Sequence, residues 1–241
     1  MNSKTVALAC RILLLTGMFT AAGSARAEDL KSSYSGMAPL DQYLMPDRQA
    51  EISLARSAAP PAISDHATIL VLVRQGYQVA IKGTNDFTCV VERSWISPFD
   101  SSEFWNPKIR GPICYNPPAT RSILPFTVKT TELALARLSK AQINEHIHAI
   151  VANKELPTPE PGAMSYMMSK GGYLNDAAGH WHPHLMFHIP KTDAASWGAN
   201  LPSSPVELDT EHHEVPEPET IFMVPVGNWS DGAPAAVPII R

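Results

Sequence analysis

The sequence lacks a second hydrophobic run that approaches the length of a membrane-spanning helix, and it lacks a surplus of basic charge. A spanning helix needs about 20 apolar residues, and no stretch after residue 27 comes near that length. The chain has 19 Lys and Arg against 23 Asp and Glu, which gives a net charge of −4. Nucleic acids and anionic lipids select for clustered Lys and Arg. We therefore expect a soluble mature chain with no nucleic-acid partner and no integral membrane segment.

The one short apolar run that is present has the pattern of a secretion signal. Two basic residues precede it, it covers residues 12–22, and a small-x-small sequence ending at Ala27 follows it. A basic start, an apolar stretch of about 7–15 residues and an A-x-A site are typical of a signal peptide. The sequence therefore predicts that residues 1–27 are removed. Residues 28–241 would then form a single exported domain, periplasmic or extracellular.

Cysteine is scarce, with three residues in the whole chain. Cys10 lies in the predicted signal, so the mature chain keeps only Cys89 and Cys114. In an oxidising compartment a lone pair of cysteines most simply forms a disulfide. The alternatives are two buried free thiols, or a Cys/His nucleophile that would need a base beside the thiolate. The sequence near either cysteine does not supply such a base.

The first half of the mature chain is predicted to contain one helix and then three strands. The helix covers 40–59 and ends at Pro60-Pro61. The strand-like runs, rich in β-branched and aromatic residues, are 68–73, 77–82 and 87–95. Short turn-forming strings separate these runs, which favours an antiparallel meander.

Two helices and three further strands are predicted to follow. Apolar residues at alternating steps of three and four predict a helix over 124–138, and Ser139 with Gln142 forms a capping-box pattern that begins a second helix. Strand-like runs return at 164–169, 185–189 and 220–226. The order α-βββ-αα-βββ indicates an α+β fold, with helices packed on a single antiparallel sheet of about six strands.

Two proline-rich segments are predicted to lack regular structure. Segment 97–118 contains five prolines and four large aromatic residues. We expect it to be a loop whose aromatic side chains pack on the body of the protein, tied down by a Cys89–Cys114 bridge. Segment 202–219 contains six acidic residues and four prolines, a composition that indicates an exposed acidic loop.

A cluster of histidines is the clearest chemical signal in the chain. Four of the nine histidines fall in one short string: His180, His182, His184 and His188. They share the same parity, so an extended chain would place their imidazoles on one face. Neutral imidazole is a common ligand of Zn²⁺. The string therefore predicts a divalent-metal site, with zinc as the expected ion.

Such a metal site would need a further ligand from elsewhere in the chain. Carboxylates and histidines at four positions are unranked candidates for it: Glu92, Asp176, His146 and His212. Two alternatives stay open for the histidine string. One is a metal-free acid/base site or ligand pocket. The other is a set of half-buried histidines with ordinary hydrogen bonds.

The histidine string also carries partial resemblances to known families. Trp181-His182-Pro183-His184 is similar to the W-H-x-H strand motif of zinc peptidases in the hedgehog and D-Ala-D-Ala peptidase group. Those enzymes also carry H-x6-D upstream, and no histidine of this chain has an aspartate seven residues later, so we do not adopt that family. Residues 179–188 resemble a fragment of a cupin motif, with His188 in the position of a glutamate and without a second motif.

A wider resemblance covers most of the mature chain. It is carried by residues 87–93, by residues 103–108 and by the histidine string. Together these look like exported bacterial proteins of unassigned activity. The resemblance implies bacterial export without implying a reaction.

Two classes of function are compatible with these features. The first is an exported protein that binds a divalent metal, or a metal-dependent hydrolase that acts on envelope material through the histidine-rich strand. The second is a non-enzymatic ligand-binding or interaction domain, in which the histidines and aromatic residues line a cleft. An aromatic-lined pocket would favour this second class. Its ligand would be an unknown small molecule or a component of the cell envelope.

Overall fold

One eight-stranded sheet is the centre of the fold in the computed structural model of the chain. The structure describes residues 34–176, 178–208 and 219–235. The predicted signal peptide and residues 209–218 of the acidic loop, with His212, lie outside the described residues. The export prediction and the domain boundary at residue 28 therefore stay predictions.

The strands follow the order β2-β1-β3-β4-β5-β6-β8-β7 across the sheet. Their bounds are β1 (Thr68–Val73), β2 (Gly76–Ile81), β3 (Thr88–Glu92), β4 (Gly111–Tyr115), β5 (Met164–Met167), β6 (His184–Pro190), β7 (Glu207–Leu208) and β8 (Glu219–Pro225). The mixed α+β class with a single sheet is confirmed. The expected number of about six strands is corrected to eight, because β4 and the two-residue β7 arise in segments predicted to be loops.

The antiparallel meander predicted for the first three strands is wrong. β1 and β2 form an antiparallel hairpin, but β3 pairs with β1, in parallel, through Thr68↔Thr88 and Ile69↔Cys89. β3 could have paired with either β1 or β2, and these two strands differ in polarity. β1 is a nearly continuous apolar run, which is best buried with a strand on each side. β2 carries exposed residues and lies at the edge of the sheet.

β4 is an interior strand inside the proline-rich segment 97–118. It is buried along its whole length and pairs with both β3 and β5. Pro112 lies opposite Val91 in this ladder, although proline is rare in interior strands because it cannot donate a backbone hydrogen bond. The loop predicted there is therefore corrected to a strand between two irregular stretches.

The predicted disulfide between Cys89 and Cys114 is confirmed. The two residues are 25 positions apart in the chain, with Cα atoms separated by 4.0 Å. They lie directly opposite each other in the ladder of β3 and β4. The bridge therefore joins two central strands of the sheet.

The described residues form five α-helices: α1 (Arg48–Arg56), α2 (Pro61–Ser64), α3 (Pro117–Ser122), α4 (Leu124–Leu135) and α5 (Lys140–Ala152). The capping box predicted at Ser139 and Gln142 is present at the start of α5. The single helix predicted over 40–59 is instead a 3-10 turn followed by α1. Pro61 begins α2, since proline is tolerated in the first turn of a helix. None of the helices in the described part of the chain is both long and apolar enough to cross a membrane.

The two faces of the sheet are covered by different elements. α1 packs with Ile69, Cys89 and Cys114 on one face. On the other face, Val90 and Ile113 pack with residues of α3 and α4. This second face continues over β5, β6 and β8, where it lines a cleft.

A buried ion pair connects α1 to the strands. Glu51 and Arg93 are joined at 2.8 Å, and their side chains are 2% and 0% exposed. Glu51 Oε1 also accepts the backbone N–H of Leu72 at 3.0 Å, and Arg93 Nε donates to the carbonyl of Tyr43 at 2.7 Å. The pair therefore satisfies backbone groups from two other segments as well as its own charges.

Candidate ligand-binding cleft

A cleft of about 1190 Å³ lies over the second face of the sheet. Its floor contains Glu92 at the end of β3 and residues along β4, β5, β6 and β8. One wall is formed by residues 95–99, and another by residues of the segment 200–208. The alternation of side chains along the strands determines which residues enter it, because only every second residue of a strand points to this face.

Most of the cleft surface is apolar. The sheet contributes three methionines, Met167, Met186 and Met223, and Trp181 is also part of the lining. Two leucines on the lining are unusually exposed, Leu174 at 40% and Leu201 at 56%. Exposed apolar side chains that gather at a concave site are typical of a surface that another molecule covers.

A buried polar group at the cleft is formed by Glu92, Tyr115 and Thr127. The hydroxyl of Tyr115 donates to Glu92 Oε1 at 2.5 Å, and Thr127 Oγ1 donates to the same oxygen at 2.9 Å. Burial raises the pKa of Glu92, and the two hydrogen bonds oppose that rise. Burial and the neighbouring carboxylate raise the pKa of Tyr115 well above its ordinary value. Tyr115 is therefore a neutral hydrogen-bond donor.

The raised pKa of Glu92 predicts a pH-dependent stability. Between the ordinary Glu pKa and the raised value, the folded protein holds more protons than the unfolded chain. The free energy of unfolding should therefore fall as pH rises through that window, by at most about 1.4 kcal/mol per pH unit. Glu92→Gln should remove this slope in urea unfolding measured over a pH series. Glu132→Gln, on an exposed side chain of α4, controls for the loss of one carboxylate. An unchanged slope in Glu92→Gln would show that Glu92 is not the group responsible for this pH dependence.

A second buried polar group crosses β5, β6 and β8. His188 Nε2 lies 3.0 Å from Ser165 Oγ, and His188 Nδ1 lies 2.9 Å from Glu219 Oε2. This connectivity is that of a nucleophile, its base and an orienting acid. However, Ser165 is 0% exposed and is not part of the cleft lining. A substrate cannot reach its hydroxyl in this arrangement, so we assign the group to holding the three strands together.

The structure separates the four histidines of the predicted metal site. His182, His184 and His188 line the cleft, whereas His180 is outside the lining and packs against Trp229, with 5.8 Å between ring centroids. The reason is that β6 begins only at His184, so the strand alternation does not extend back to His180. Both ring nitrogens of His188 already have hydrogen-bond partners.

The candidate third ligands are placed in different parts of the molecule. Glu92 lies in the cleft, His146 is on α5, and His212 is outside the described residues. Asp176 accepts hydrogen bonds from Tyr173, Tyr34 and Lys108, which lower its pKa to about 2. Among the described residues, no group of three or more His, Cys, Asp or Glu side chains is arranged to hold a metal ion. Zinc binding by the histidines stays a prediction.

Two histidines of the cleft, His182 and His184, differ in the hydrogen bonding of their ring nitrogens. His182 Nε2 is buried without a hydrogen-bond partner in the structure. Burial lowers the pKa of His182, and a hydrogen bond between the His182 ring and the backbone of Val226 opposes that shift. His184 Nδ1 lies 2.7 Å from the carbonyl oxygen of His182. Because a carbonyl can only accept, this contact indicates that Nδ1 carries a proton.

Sequence reasoning did not find several polar residues at the cleft and in the buried group beside it. Tyr115, Thr127, Ser165 and Glu219 come from four different elements. Their partners are between 12 and 35 positions away in the chain. A local motif cannot show such contacts, and only the correct strand order would have indicated them.

Comparison of the chain with protein-family models, with curated proteins and with solved structures gave no match.

Proposed function

We propose that the chain is an exported binding protein whose cleft takes a small molecule with a largely apolar surface and one polar group. The observation that supports this most directly is the cleft of about 1190 Å³, with apolar walls and a few buried polar groups. Small-molecule sites typically combine these two properties, in volumes of about 300–1,000 Å³. The proposal agrees with the second class of function that the sequence allowed.

The polar groups at the cleft indicate what the polar end of the ligand could contact. His182 Nε2 is buried and unpartnered, and an unsatisfied buried polar atom costs roughly 1–3 kcal/mol. A ligand hydroxyl or amide that donates to this nitrogen would recover that cost. The methionines on the floor would contact the apolar part, because their flexible side chains adapt to irregular shapes.

Export is the second part of the proposal. It is supported by the signal-like pattern of residues 1–27. The Cys89–Cys114 bridge is compatible with it, because disulfides persist in oxidising compartments. The expected location is the periplasm or the extracellular space.

Divalent-metal binding, with or without hydrolysis of envelope material, is the second candidate function. It is favoured by the placement of His182 and His184 on the lining of one cleft. These two imidazoles would hold the ion, and a zinc site would need at least one further donor.

The neutral fluorescent probe N-phenyl-1-naphthylamine tests the binding proposal. We expect saturable binding with one equivalent of probe and a rise in its emission. The double variant Leu174→Ser/Leu201→Ser should weaken binding about tenfold, because it removes apolar area from the cleft lining. Val79→Ser is the control, since Val79 is about as exposed as Leu201, at 57%, but lies on β2 outside the cleft. Absence of saturable binding, or an equal loss in the control, would contradict the proposal.

A further inference from the structure

We propose that the cleft face of β5, β6 and β8 holds a site for a soft monovalent metal ion, Cu(I), with Met186, Met223, Met167 and His184 as its ligands. This site goes beyond the proposed small-molecule function and does not depend on it. It also differs from the predicted zinc site, because its donors are mainly thioether sulfurs.

The strand register brings these four residues together. Met186 lies directly opposite Met223, and Met167 lies directly opposite His184. Residues directly opposite each other on antiparallel strands have Cβ atoms about 4.5–5.5 Å apart and point to the same face. All four residues line the cleft, which confirms that they share its face. Methionine has three rotatable bonds, so neighbouring sulfurs can converge on one ion.

The two faces of β6 differ in chemistry as well as in environment. The cleft face presents His184, Met186 and His188, each of which carries a donor atom. The alternate residues Leu185, Phe187 and Ile189 are purely apolar. A strand that only completed a hydrophobic core would not need donor atoms at every position of one face.

The donor set selects the type of metal. Thioether sulfur is a soft ligand that favours Cu(I), whereas Mg²⁺ and Ca²⁺ prefer oxygen. His184 adds an imidazole whose Nδ1 faces the carbonyl of His182 at 2.7 Å. Metal-binding histidines commonly donate their second ring N–H to a carbonyl in this way, which orients the other nitrogen toward the metal.

The local charge also favours a cation. Glu207 on β7 lies directly opposite Met223 and is part of the same lining. The described residues contain no group of three His, Cys, Asp or Glu side chains that could hold a metal ion. The proposed site does not require such a group, because three of its four ligands are methionines.

Competition with bicinchoninate under ascorbate tests the proposal with Cu(I) alone as the probe. All proteins should be tag-free and carry Cys10→Ser, because the other two cysteines are joined in the disulfide and Cys10 would otherwise offer a thiol. We expect the reference protein to take one equivalent of Cu(I). Met186→Leu/Met223→Leu should weaken binding by at least about tenfold, since loss of even an outer-shell partner costs about 10–100-fold.

Met164→Leu is the matched control, because Met164 lies on β5 opposite Phe187 and outside the cleft lining. It should keep the reference affinity. Leucine approximates the volume of methionine, so the double variant should keep the urea midpoint of the reference protein. The Cu(I) titration uses no organic probe, so failure of the Cu(I) inference is separable from failure of the binding proposal. Lack of Cu(I) uptake by the reference protein, or full affinity in Met186→Leu/Met223→Leu, would overturn the inference.

Discussion

Replacement of Glu51 by alanine should lower the free energy of unfolding by about 3–5 kcal/mol. The substitution leaves the guanidinium of Arg93 buried without its counter-charge, in a position that is 0% exposed. It also removes the acceptor of the Leu72 N–H, a backbone donor near the end of β1. A buried charge that has lost its partner is among the most costly defects in a folded protein. Urea unfolding, analysed as a two-state transition, measures the change.

An exposed ion pair provides the control for this prediction. Arg74 and Asp41 also form a salt bridge, but their side chains are largely exposed. Asp41→Ala should therefore change stability by less than about 1 kcal/mol. Similar losses in Glu51→Ala and Asp41→Ala would show that burial does not determine the effect. In that case the role assigned to the Glu51–Arg93 pair would be wrong.

Removal of the disulfide should cost roughly 3–4 kcal/mol, the value that the chain-entropy model gives for a closed loop of about this length. Cys89 and Cys114 lie 25 residues apart, and both are fully buried in the cluster beneath α1. Cys89→Ala/Cys114→Ala should show this loss in urea unfolding, together with a packing term for the two missing sulfurs.

The reduced wild-type protein separates these two contributions. It keeps both sulfur atoms and lacks only the cross-link, so its loss relative to the oxidised protein reports the cross-link alone. The alanine variant should be less stable than the reduced protein by the packing term. Equal urea midpoints for oxidised and reduced protein would contradict the prediction.

The parts of the fold that the sequence predicted well are those with a local physical cause. β1 was predicted with its observed bounds, because its apolar run ends at turn-forming residues. The start of α5 followed from a reciprocal cap between Ser139 and Gln142. The disulfide followed from the number of cysteines and the expected compartment, without any knowledge of the strand register.

The parts that were missed depend on neighbours far away in the chain. The interior position of β4 was obscured by Pro112, because proline is not normally found in a strand in the middle of a sheet. Parity predicted four histidines on one face, of which His182, His184 and His188 line the cleft and His180 does not. The partners of His188, Ser165 and Glu219, are set by the pairing of β5 and β8 with β6, which no local pattern encodes.

The order of the strands also has a consequence for the rate of folding. In the part of the chain that the structure describes, only β1 and β2 are joined by a tight turn, whereas Cys114 pairs with Tyr166 and Phe187 pairs with Phe222. Before each such ladder can form, the chain must close a long loop. The conformational entropy of that loop is lost before the strand contacts stabilise the structure. Chains with high contact order therefore fold in about milliseconds to seconds rather than microseconds. Early oxidation of Cys89 and Cys114 would hold β3 beside β4 and so remove the loop-closure cost of that one ladder.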